Sequence, residues 1–164
     1  MAESIENKVM RSLKAVEELY YRLVLVVGQS GSGKTSVIQN LAKLFNTTPV
    51  NLNLYISKEL MELSKKQRQL QLSEILIQSV SGKGDVVFLD NLEILFAHEL
   101  QQDPLRLLYS ISRNRTVVAT WNGMMSSGRL VYATIGHPEY RSYESVDALF
   151  VATDGMATIG SEEN

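Results

Sequence analysis

Cysteine is absent from this chain of 164 residues, which excludes disulfides, thiolate zinc sites and catalysis by a thiol nucleophile. Histidine occurs only at His98 and His137, too few to hold a metal ion without other ligands. No apolar run is long enough to span a membrane, and the first residues lack the basic and apolar segments of a signal peptide. These absences predict a cytoplasmic protein without membrane contact.

Neither sign of charge dominates, because 16 basic and 18 acidic residues leave a net charge of −2. The chain therefore lacks the broad basic surface typical of nucleic-acid binding, and any contact with DNA must be local. A hydrophobic content of 45% is enough for one domain with one core. We expect a single domain over residues 1–164, with an N-terminal helix over about 4–20, a core over about 22–152 and a polar tail over 153–164.

The most specific motif follows the apolar run Leu23 to Val27 and fits G-x-x-x-x-G-K-[ST] without a mismatch: Gly28, Gln29, Ser30, Gly31, Ser32, Gly33, Lys34 and Thr35. Backbone N–H groups of such a loop face phosphate oxygens, and a following helix from about Lys34 adds its positive N-terminal dipole. We therefore predict that residues 28–36, Ser36 included, bind ATP. Lys34 is expected to point toward the ligand or solvent and to reach the β and γ oxygens, while Thr35 ligates Mg²⁺.

A second motif is the apolar run from Asp85 to Leu89 that ends in a carboxylate, Asp90. A buried parallel strand brings such a terminal carboxylate to the carboxyl edge of the sheet, beside the phosphate loop. Asp90 is therefore predicted to hold a water on the Mg²⁺ bound by Thr35.

Hydrophobic periodicity predicts the remaining elements. A strand is expected over Val50 to Leu54, with helices over Lys58 to Leu63, capped by Ser57, and over about Leu72 to Val80. The basic cluster Lys65 to Arg68 lies between those helices, as a solvated junction or as a partner contact. A further helix starts at Asp103 and Pro104. Later strands are expected over Thr116 to Thr120, Leu130 to Thr134 and Ala148 to Ala152.

The strand that starts at Thr116 offers a polar residue to the nucleotide. Either Thr120 or Asn122 could orient an attacking water there, although Asn122 could equally cap a turn. Together the elements predict an α/β fold of three layers, a P-loop NTPase core around a mostly parallel sheet and without a C-terminal lid.

Three further segments make the chain resemble a known family: Asp85 to Phe96, Leu100 to Leu108 and Gly136 to Arg141. With the run Leu23 to Thr35, they resemble BrxF, the small P-loop protein of type 3 BREX systems. The resemblance covers roughly Leu23 to Val151. It implies bacterial defence against phage beside a large ATPase, a DNA methyltransferase, a phosphatase-like protein and a helicase, with an AAA-like nucleotide-binding core.

The residue after Asp90 departs from the wider ATPase pattern. It is Asn91, where hydrolytic enzymes of this class usually carry a glutamate that polarises water. Hydrolysis is therefore expected to be slow or to use another base. Glu93 is the nearest substitute if the chain turns directly after Asp90, and the alternative is a solvated acid at a helix start.

The predicted absence of a lid leaves the γ-phosphate without an arginine from the same chain. We expect a homo-oligomer in which Arg141 from a neighbouring subunit supplies it, with Arg129, Arg113 and Arg115 as the other candidates. A surface salt bridge from Arg141 to Glu139 or Glu144 is the alternative. His137 is expected to be a structural turn residue.

Two other functions share the phosphate loop. A small-molecule or nucleotide kinase would have a similar length, but it normally needs an arginine-rich lid. A GTPase is disfavoured, because no Asn-Lys-x-Asp segment occurs and the segment from Asp90 to Glu93 lacks the glycine of Asp-x-x-Gly. ATP hydrolysis is the function that the motifs favour.

Overall fold

The structure, a computed structural model, describes residues 3–153. Seven strands are present in this part of the chain: β1 Leu23–Gly28, β2 Val50–Asn51, β3 Val86–Asp90, β4 Thr116–Ser126, β5 Arg129–Tyr132, β6 Arg141–Tyr143 and β7 Leu149–Ala152. Five of them form a parallel sheet in the order β2-β3-β4-β1-β7. The carboxyl ends of these strands therefore meet at one edge, where ligands bind in open α/β sheets.

Helices cover both faces of the sheet, and each face has its own core. The helices are α1 Ile5–Val16, α2 Lys34–Leu44, α3 Leu52–Leu60, α4 Lys65–Ser79 and α5 Pro104–Ile111, with short 3₁₀ helices at Glu93–Phe96 and His98–Leu100. The apolar side chains of α1 and α2 pack against Val24, Val26 and Val118. Those of α3, α4 and α5 pack with Leu25 and Ala119 on the opposite face. The fold has the three layers that the sequence predicts.

Strand β4 is 11 residues long, and its second half extends beyond the parallel sheet. Gly123 to Ser126 pair antiparallel with β5, and β5 pairs with β6. Gly123 allows this close approach, because a Cβ there would lie 1.7 Å from the carbonyl oxygen of Val131. This antiparallel extension, formed by residues 123–143, stands beside the carboxyl edge of the main sheet.

The predicted strand over Val50 to Leu54 is wrong beyond Asn51, and the predicted helix start at Ser57 is late. The Asn51 side chain accepts a hydrogen bond from the Leu54 N–H at 3.1 Å and so caps α3. Leu52 is fully buried while Leu54 is 61% exposed, which a strand burying both would not give. The alternating leucines Leu52 and Leu54 therefore belong to the first turn of α3.

The basic cluster Lys65 to Arg68 is also placed differently from the prediction, because it forms the first turn of α4. Ser64 and Gln67 make a capping box that starts the helix there. The Arg68 Nε donates to the carbonyl oxygens of Leu60 and Leu63, each at 3.1 Å. Arg68 thus satisfies carbonyls at the end of α3, which is a structural role.

Other boundaries shift as well. Helix α1 ends at Val16 rather than near residue 20, and β4 runs on through Asn122, so Asn122 is a strand residue and does not cap a turn. Strand β6 was not predicted, because three residues are too few for a periodic signal. The predicted tail lies outside the described residues after Thr153. Over residues 3–153, no helix combines the length and the apolar character that crossing a membrane requires.

Candidate nucleotide site

The phosphate loop joins β1 to α2 at the carboxyl edge of the sheet. Gly31 and Gly33 have φ of 83° and 95°, left-handed values at which any other residue would be strained. Lys34 is only 6% exposed, so of the two expected directions, ligand or solvent, it does not take the one into solvent. Its Nζ donates to the carbonyl oxygens of Gly28 at 2.9 Å and Gln29 at 2.7 Å. The lysine thus lies within the loop where a phosphate would be bound.

The charge of Lys34 is held in a partly desolvated place. Burial lowers the pKa of Lys34 from its ordinary value, and the carboxylates of Asp90 and Glu93 act in the opposite direction. A buried ammonium near two acids is suited to exchange its carbonyl partners for phosphate oxygens, which carry more negative charge.

Asp90 lies where the sequence predicts, at the end of β3, and is buried. Its carboxylate accepts hydrogen bonds from the Thr35 hydroxyl at 2.7 Å and from the Thr120 hydroxyl at 2.8 Å. The Asn91 N–H donates to the same group at 2.9 Å. Thr120 therefore positions Asp90 and does not reach toward a water. Thr35 and Asp90 together present hard oxygen donors of the kind that Mg²⁺ binds.

The chain turns directly after Asp90, and such a turn is what Glu93 needs if it is to reach the nucleotide site. Asn91 takes a left-handed φ of 57°, which asparagine tolerates better than most residues. The following 3₁₀ helix begins at Glu93, and its carboxylate faces the same cavity as Lys34 and Asp90. Glu93 is therefore not a solvated acid on a helix surface.

Two amide side chains hold the Glu93 carboxylate from opposite sides. Asn122 Nδ2 donates to Oε2 at 2.5 Å, and Asn53 Nδ2 donates to Oε1 at 2.9 Å. Asn53 also accepts from the Ile94 N–H at 2.7 Å, and its own N–H donates to the Asn91 carbonyl oxygen at 2.9 Å. Sequence analysis missed Asn53, because it was assigned to a strand. It lies two residues after the end of β2, outside any motif that would mark it as a functional residue.

These groups surround one open cavity of about 520 Å³, with Gly31, Gly33, Lys34, Thr35, Ser36, Asp90, Asn91, Glu93 and Asn122 among its lining residues. A glycine-rich loop, a lysine and a hydroxyl at a helix start, and a carboxylate on a parallel strand define a P-loop nucleotide-binding domain. Strand β4 lies between the Asp90 strand and β1, so the sheet has an inserted strand.

The chain belongs to the AAA family, the ATPase family associated with various cellular activities, whose profile matches residues 24–127. It has an AAA-type P-loop ATPase domain. A comparison with curated protein sequences gives no match.

The solved structures that are similar to this chain include the following three. AMPPCP-bound DnaA from Aquifex aeolicus has 18% identity and a TM-score of 0.41, over 73% of this chain and 39% of that one. A DNA replication initiation factor has 18% identity and a TM-score of 0.43, over 73% and 39%. PCH-2 from C. elegans has 20% identity and a TM-score of 0.39, over 90% and 40%. This chain spans about two fifths of the length of each.

The arginines lie outside the nucleotide cavity of their own chain. Arg141 is on β6, where its Nη2 donates to the Gln102 carbonyl oxygen at 3.1 Å. Glu144 pairs with Arg129 at 3.5 Å, and among the described residues Arg141 forms no salt bridge to Glu144 or Glu139, the alternative that the sequence left open. Arg113 and Arg115 precede β4, at the opposite end of the sheet from the phosphate loop. His137 lies in a turn, where its Nδ1 accepts from the Glu139 N–H at 3.0 Å.

Proposed function

We propose that this chain hydrolyses ATP with Glu93 as the general base, in place of the glutamate that Asn91 replaces. The observation that carries the proposal is the Glu93 carboxylate, which faces the same cavity as Lys34 and is held by Asn53 and Asn122. A carboxylate fixed by two amide donors is positioned to accept a proton from a water aligned with the γ-phosphate. Asn122 thereby contributes to catalysis by positioning the base.

Mg²⁺ would be held by Thr35 and, through water, by Asp90, whose oxygens fit its preference for hard ligands. The ion would neutralise charge on the β- and γ-phosphates. For this, the Thr35 hydroxyl must release the Asp90 oxygen that it contacts at 2.7 Å. Asp90→Ala should therefore remove Mg²⁺-dependent turnover and leave part of the nucleotide affinity.

The test of the base compares Glu93→Gln with Asn91→Glu in a phosphate-release assay. We expect Glu93→Gln to lower kcat by about 10²–10⁴ with ATP affinity kept in calorimetry, and Asn91→Glu to leave kcat near wild type. Lys34→Ala serves as the reference variant, since it should lose ATP affinity itself. A large gain of rate in Asn91→Glu with an unaffected Glu93→Gln would contradict the role of Glu93.

We further propose that the site is completed by a second copy of the chain, with Arg141 as the group contributed. The described lining of the cavity contains no arginine, whereas the transition state of phosphoryl transfer gains from a guanidinium. Arg141 would have to leave the Gln102 carbonyl oxygen, to which its Nη2 donates at 3.1 Å.

Mixing experiments test the Arg141 proposal. Arg141→Ala should bind ATP but not hydrolyse it, and adding Lys34→Ala protein should restore activity at mixed interfaces. Mass photometry without nucleotide, with ADP and with a non-hydrolysable ATP analogue should show assembly that depends on nucleotide. Wild-type activity of Arg141→Ala alone would move the assignment to Arg129, the other arginine of the antiparallel extension.

The proposed biological role is defence against phage within a BREX system, acting on DNA in the cytoplasm with the large ATPase, methyltransferase, phosphatase-like protein and helicase of such systems. It is supported by the resemblance carried by the segments 85–96, 100–108 and 136–141. In a host that carries the complete system, Lys34→Ala should restore plaque formation. Unchanged protection by that variant would argue against a role for nucleotide binding in defence.

A further inference from the structure

Arginines and tyrosines gather at the amino ends of the parallel strands, on the edge of the sheet opposite the nucleotide cavity. Arg22 directly precedes β1, and Arg113 and Arg115 lie just before β4. Strands β1 and β4 are paired neighbours, so the two segments lie side by side. Tyr20 and Tyr21 precede Arg22 in the chain. These five residues are called the Tyr-Arg surface below.

The guanidinium groups of this surface use only part of their hydrogen-bonding capacity within the chain. Arg22 Nη2 donates to the carbonyl oxygen of Arg113 at 3.2 Å. Arg115 Nη1 donates to the carbonyl oxygens of Val80 at 2.7 Å and Gly84 at 3.3 Å. A guanidinium has five N–H donors and always carries its charge. Most of these donors therefore remain available to an anionic ligand.

The exposed tyrosine beside these arginines has its ring fixed in place. The Arg113 Cζ lies 4.5 Å from the centroid of the Tyr20 ring, a cation–π contact. Tyr21 meets Tyr20 edge to face at 4.8 Å and stacks on Tyr109 at 4.3 Å. Tyr20 is nevertheless 64% exposed. A ring that is already fixed loses little conformational entropy when a second flat group stacks on it.

The composition of this edge favours a nucleic acid over a protein partner. In the segments 17–22, 80–85 and 112–115, the exposed large hydrophobic side chains are Leu19 and Tyr20, whereas a protein interface normally has an apolar centre. Guanidinium groups beside an exposed ring instead match phosphates next to a base. The bases of a duplex have their faces hidden in the stack, so the ring selects a single strand.

Carboxylates on the same segments limit the length of strand that fits. Glu17, Glu18 and Asp85 lie there, but over residues 3–153 none of them pairs within 4.0 Å of a guanidinium of the Tyr-Arg surface. Each would repel phosphates that pass close to it. The contact is therefore confined to a few nucleotides, as the net charge of −2 requires.

We propose that the Tyr-Arg surface binds single-stranded nucleic acid, with a base stacked on Tyr20 and phosphates against Arg22 and Arg113. This rests on the proposed role on DNA and gives the strand a place on the chain. Because the surface lies at the opposite edge from Lys34, the strand and ATP are bound at the same time. Binding there does not require hydrolysis with Glu93 as base, so either proposal can fail alone.

The test measures the fluorescence anisotropy of a labelled oligothymidine of about 20 nucleotides with the full chain at about 50 mM salt. We expect binding that weakens as salt rises and a lower affinity for a duplex of the same length. Lys34→Ala, and wild type saturated with ATP and Mg²⁺, should bind the strand as tightly as free wild type. Loss of binding in either case would place the strand at the phosphate loop and overturn the proposal.

Variants tie the binding to this surface. Arg113→Ala should reduce the slope of log affinity against log salt by about 0.7, the share of one phosphate contact on a single strand. Tyr20→Ala should raise the Kd about 5- to 150-fold, the loss of one stacked base, and Tyr20→Trp should restore affinity. The matched control Arg11→Ala removes the same charge from α1, where Arg11 pairs with Glu3 at 2.7 Å, and should change neither quantity. Equal affinity of Arg113→Ala, Tyr20→Ala and Arg11→Ala would overturn the proposal.

Other results would also overturn it. A duplex bound as tightly as the strand would exclude stacking on Tyr20. If the oligonucleotide stays unbound while phosphatidylserine vesicles bind wild type but not Arg113→Ala, the surface contacts a membrane. If it stays unbound and self-association is lost in Tyr20→Ala, a second copy covers the surface. Oligonucleotide binding without any consumption of ATP would support this proposal and contradict the proposed hydrolysis.

Discussion

The two sides of the nucleotide site are built from different kinds of side chain. The phosphate side, formed by β1 and α2, has a mostly aliphatic core of valines, leucines and isoleucine, in which the buried Phe88 meets one further ring, Phe45. The attack side, formed by the 3₁₀ helix of Glu93 and the antiparallel extension, is aromatic. There Phe96 stacks on Tyr132 with ring centroids 3.4 Å apart, and its ring meets Trp121 edge to face at 5.3 Å.

This difference reflects how each side is held in place. Lys34 and Thr35 follow β1 by a few residues, so one strand, one loop and one helix position them. Glu93, in contrast, depends on contacts with Asn53 and Asn122 and on rings from three separate segments. We expect the phosphate side to keep binding ATP when the attack side is damaged.

The largest effect is expected for Phe96→Ala. Removing this fully buried ring should lower the free energy of unfolding by about 3–5 kcal/mol, because it leaves a cavity between Tyr132 and Trp121. Since Phe96 ends the 3₁₀ helix that begins at Glu93, turnover per folded molecule should fall while ATP affinity stays. Urea denaturation and calorimetry measure the two quantities. Leu41→Ala, a fully buried position in α2, is the control that should lose stability and keep turnover per folded molecule.

Gly123→Ala should have the next largest effect. Its Cβ would meet the Val131 carbonyl oxygen at 1.7 Å, and since both partners are backbone the strands must separate, at a cost of about 1–3 kcal/mol. Gly31→Ala has no atom within 4 Å of its Cβ and meets only the cost of a left-handed φ, about 1–2 kcal/mol. We expect Gly123→Ala to impair turnover and Gly31→Ala to impair ATP affinity. If Gly123→Ala instead impaired ATP affinity and Gly31→Ala instead impaired turnover, the proposed distinction between the two sides would be wrong.

Asn53→Ala should act on rate more than on binding. It removes one donor to Glu93 and the acceptor of the Ile94 N–H, so the carboxylate becomes mobile; we expect kcat to fall about tenfold, which is about 1.4 kcal/mol. The ATP dissociation constant should stay within error. Asn53→Asp keeps the acceptor of the Ile94 N–H but replaces the donor to Glu93 by a second carboxylate that repels it, so its kcat should fall at least as far as that of Asn53→Ala. A change of affinity without a change of kcat would contradict a positioning role.

The smallest effect is the pH dependence of ATP affinity. Burial lowers the pKa of Lys34 from 10.5, so the lysine loses its charge as pH rises through that lowered value, and ATP affinity should decline at a pH below 10.5. Below this window the charge is fully present and affinity should be constant. Calorimetry between pH 7.5 and 10 should register a change of less than about tenfold, about 1.4 kcal/mol. Lys34→Arg, which stays protonated, should bind ATP equally at every pH tested.

Local sequence was sufficient to predict the phosphate loop, the Asp90 strand and the three-layer class. A strand that is buried on both faces needs a continuous apolar run, and a loop that curls around phosphate needs glycine, so both features are visible in a few adjacent residues. The predicted strand over Val50 to Leu54 was wrong after Asn51, because Asn51 caps a helix. A strand would bury both Leu52 and Leu54, whereas the helix buries only Leu52, and the sequence does not show which of the two is the case. The same uncertainty hid Asn53.

The amino-acid sequence by itself thus determined that this chain has a phosphate loop at the carboxyl edge of a parallel sheet, since contiguous motifs specify both features. Only the tertiary structure decided that Glu93 lines the same cavity as Lys34, that Asn53 and Asn122 hold its carboxylate, and that β4 continues into an antiparallel extension. The two hydrogen bonds to Glu93 join residues 40 and 29 positions apart. Their pairing depends on strand order and on the packing of rings, which no local pattern encodes.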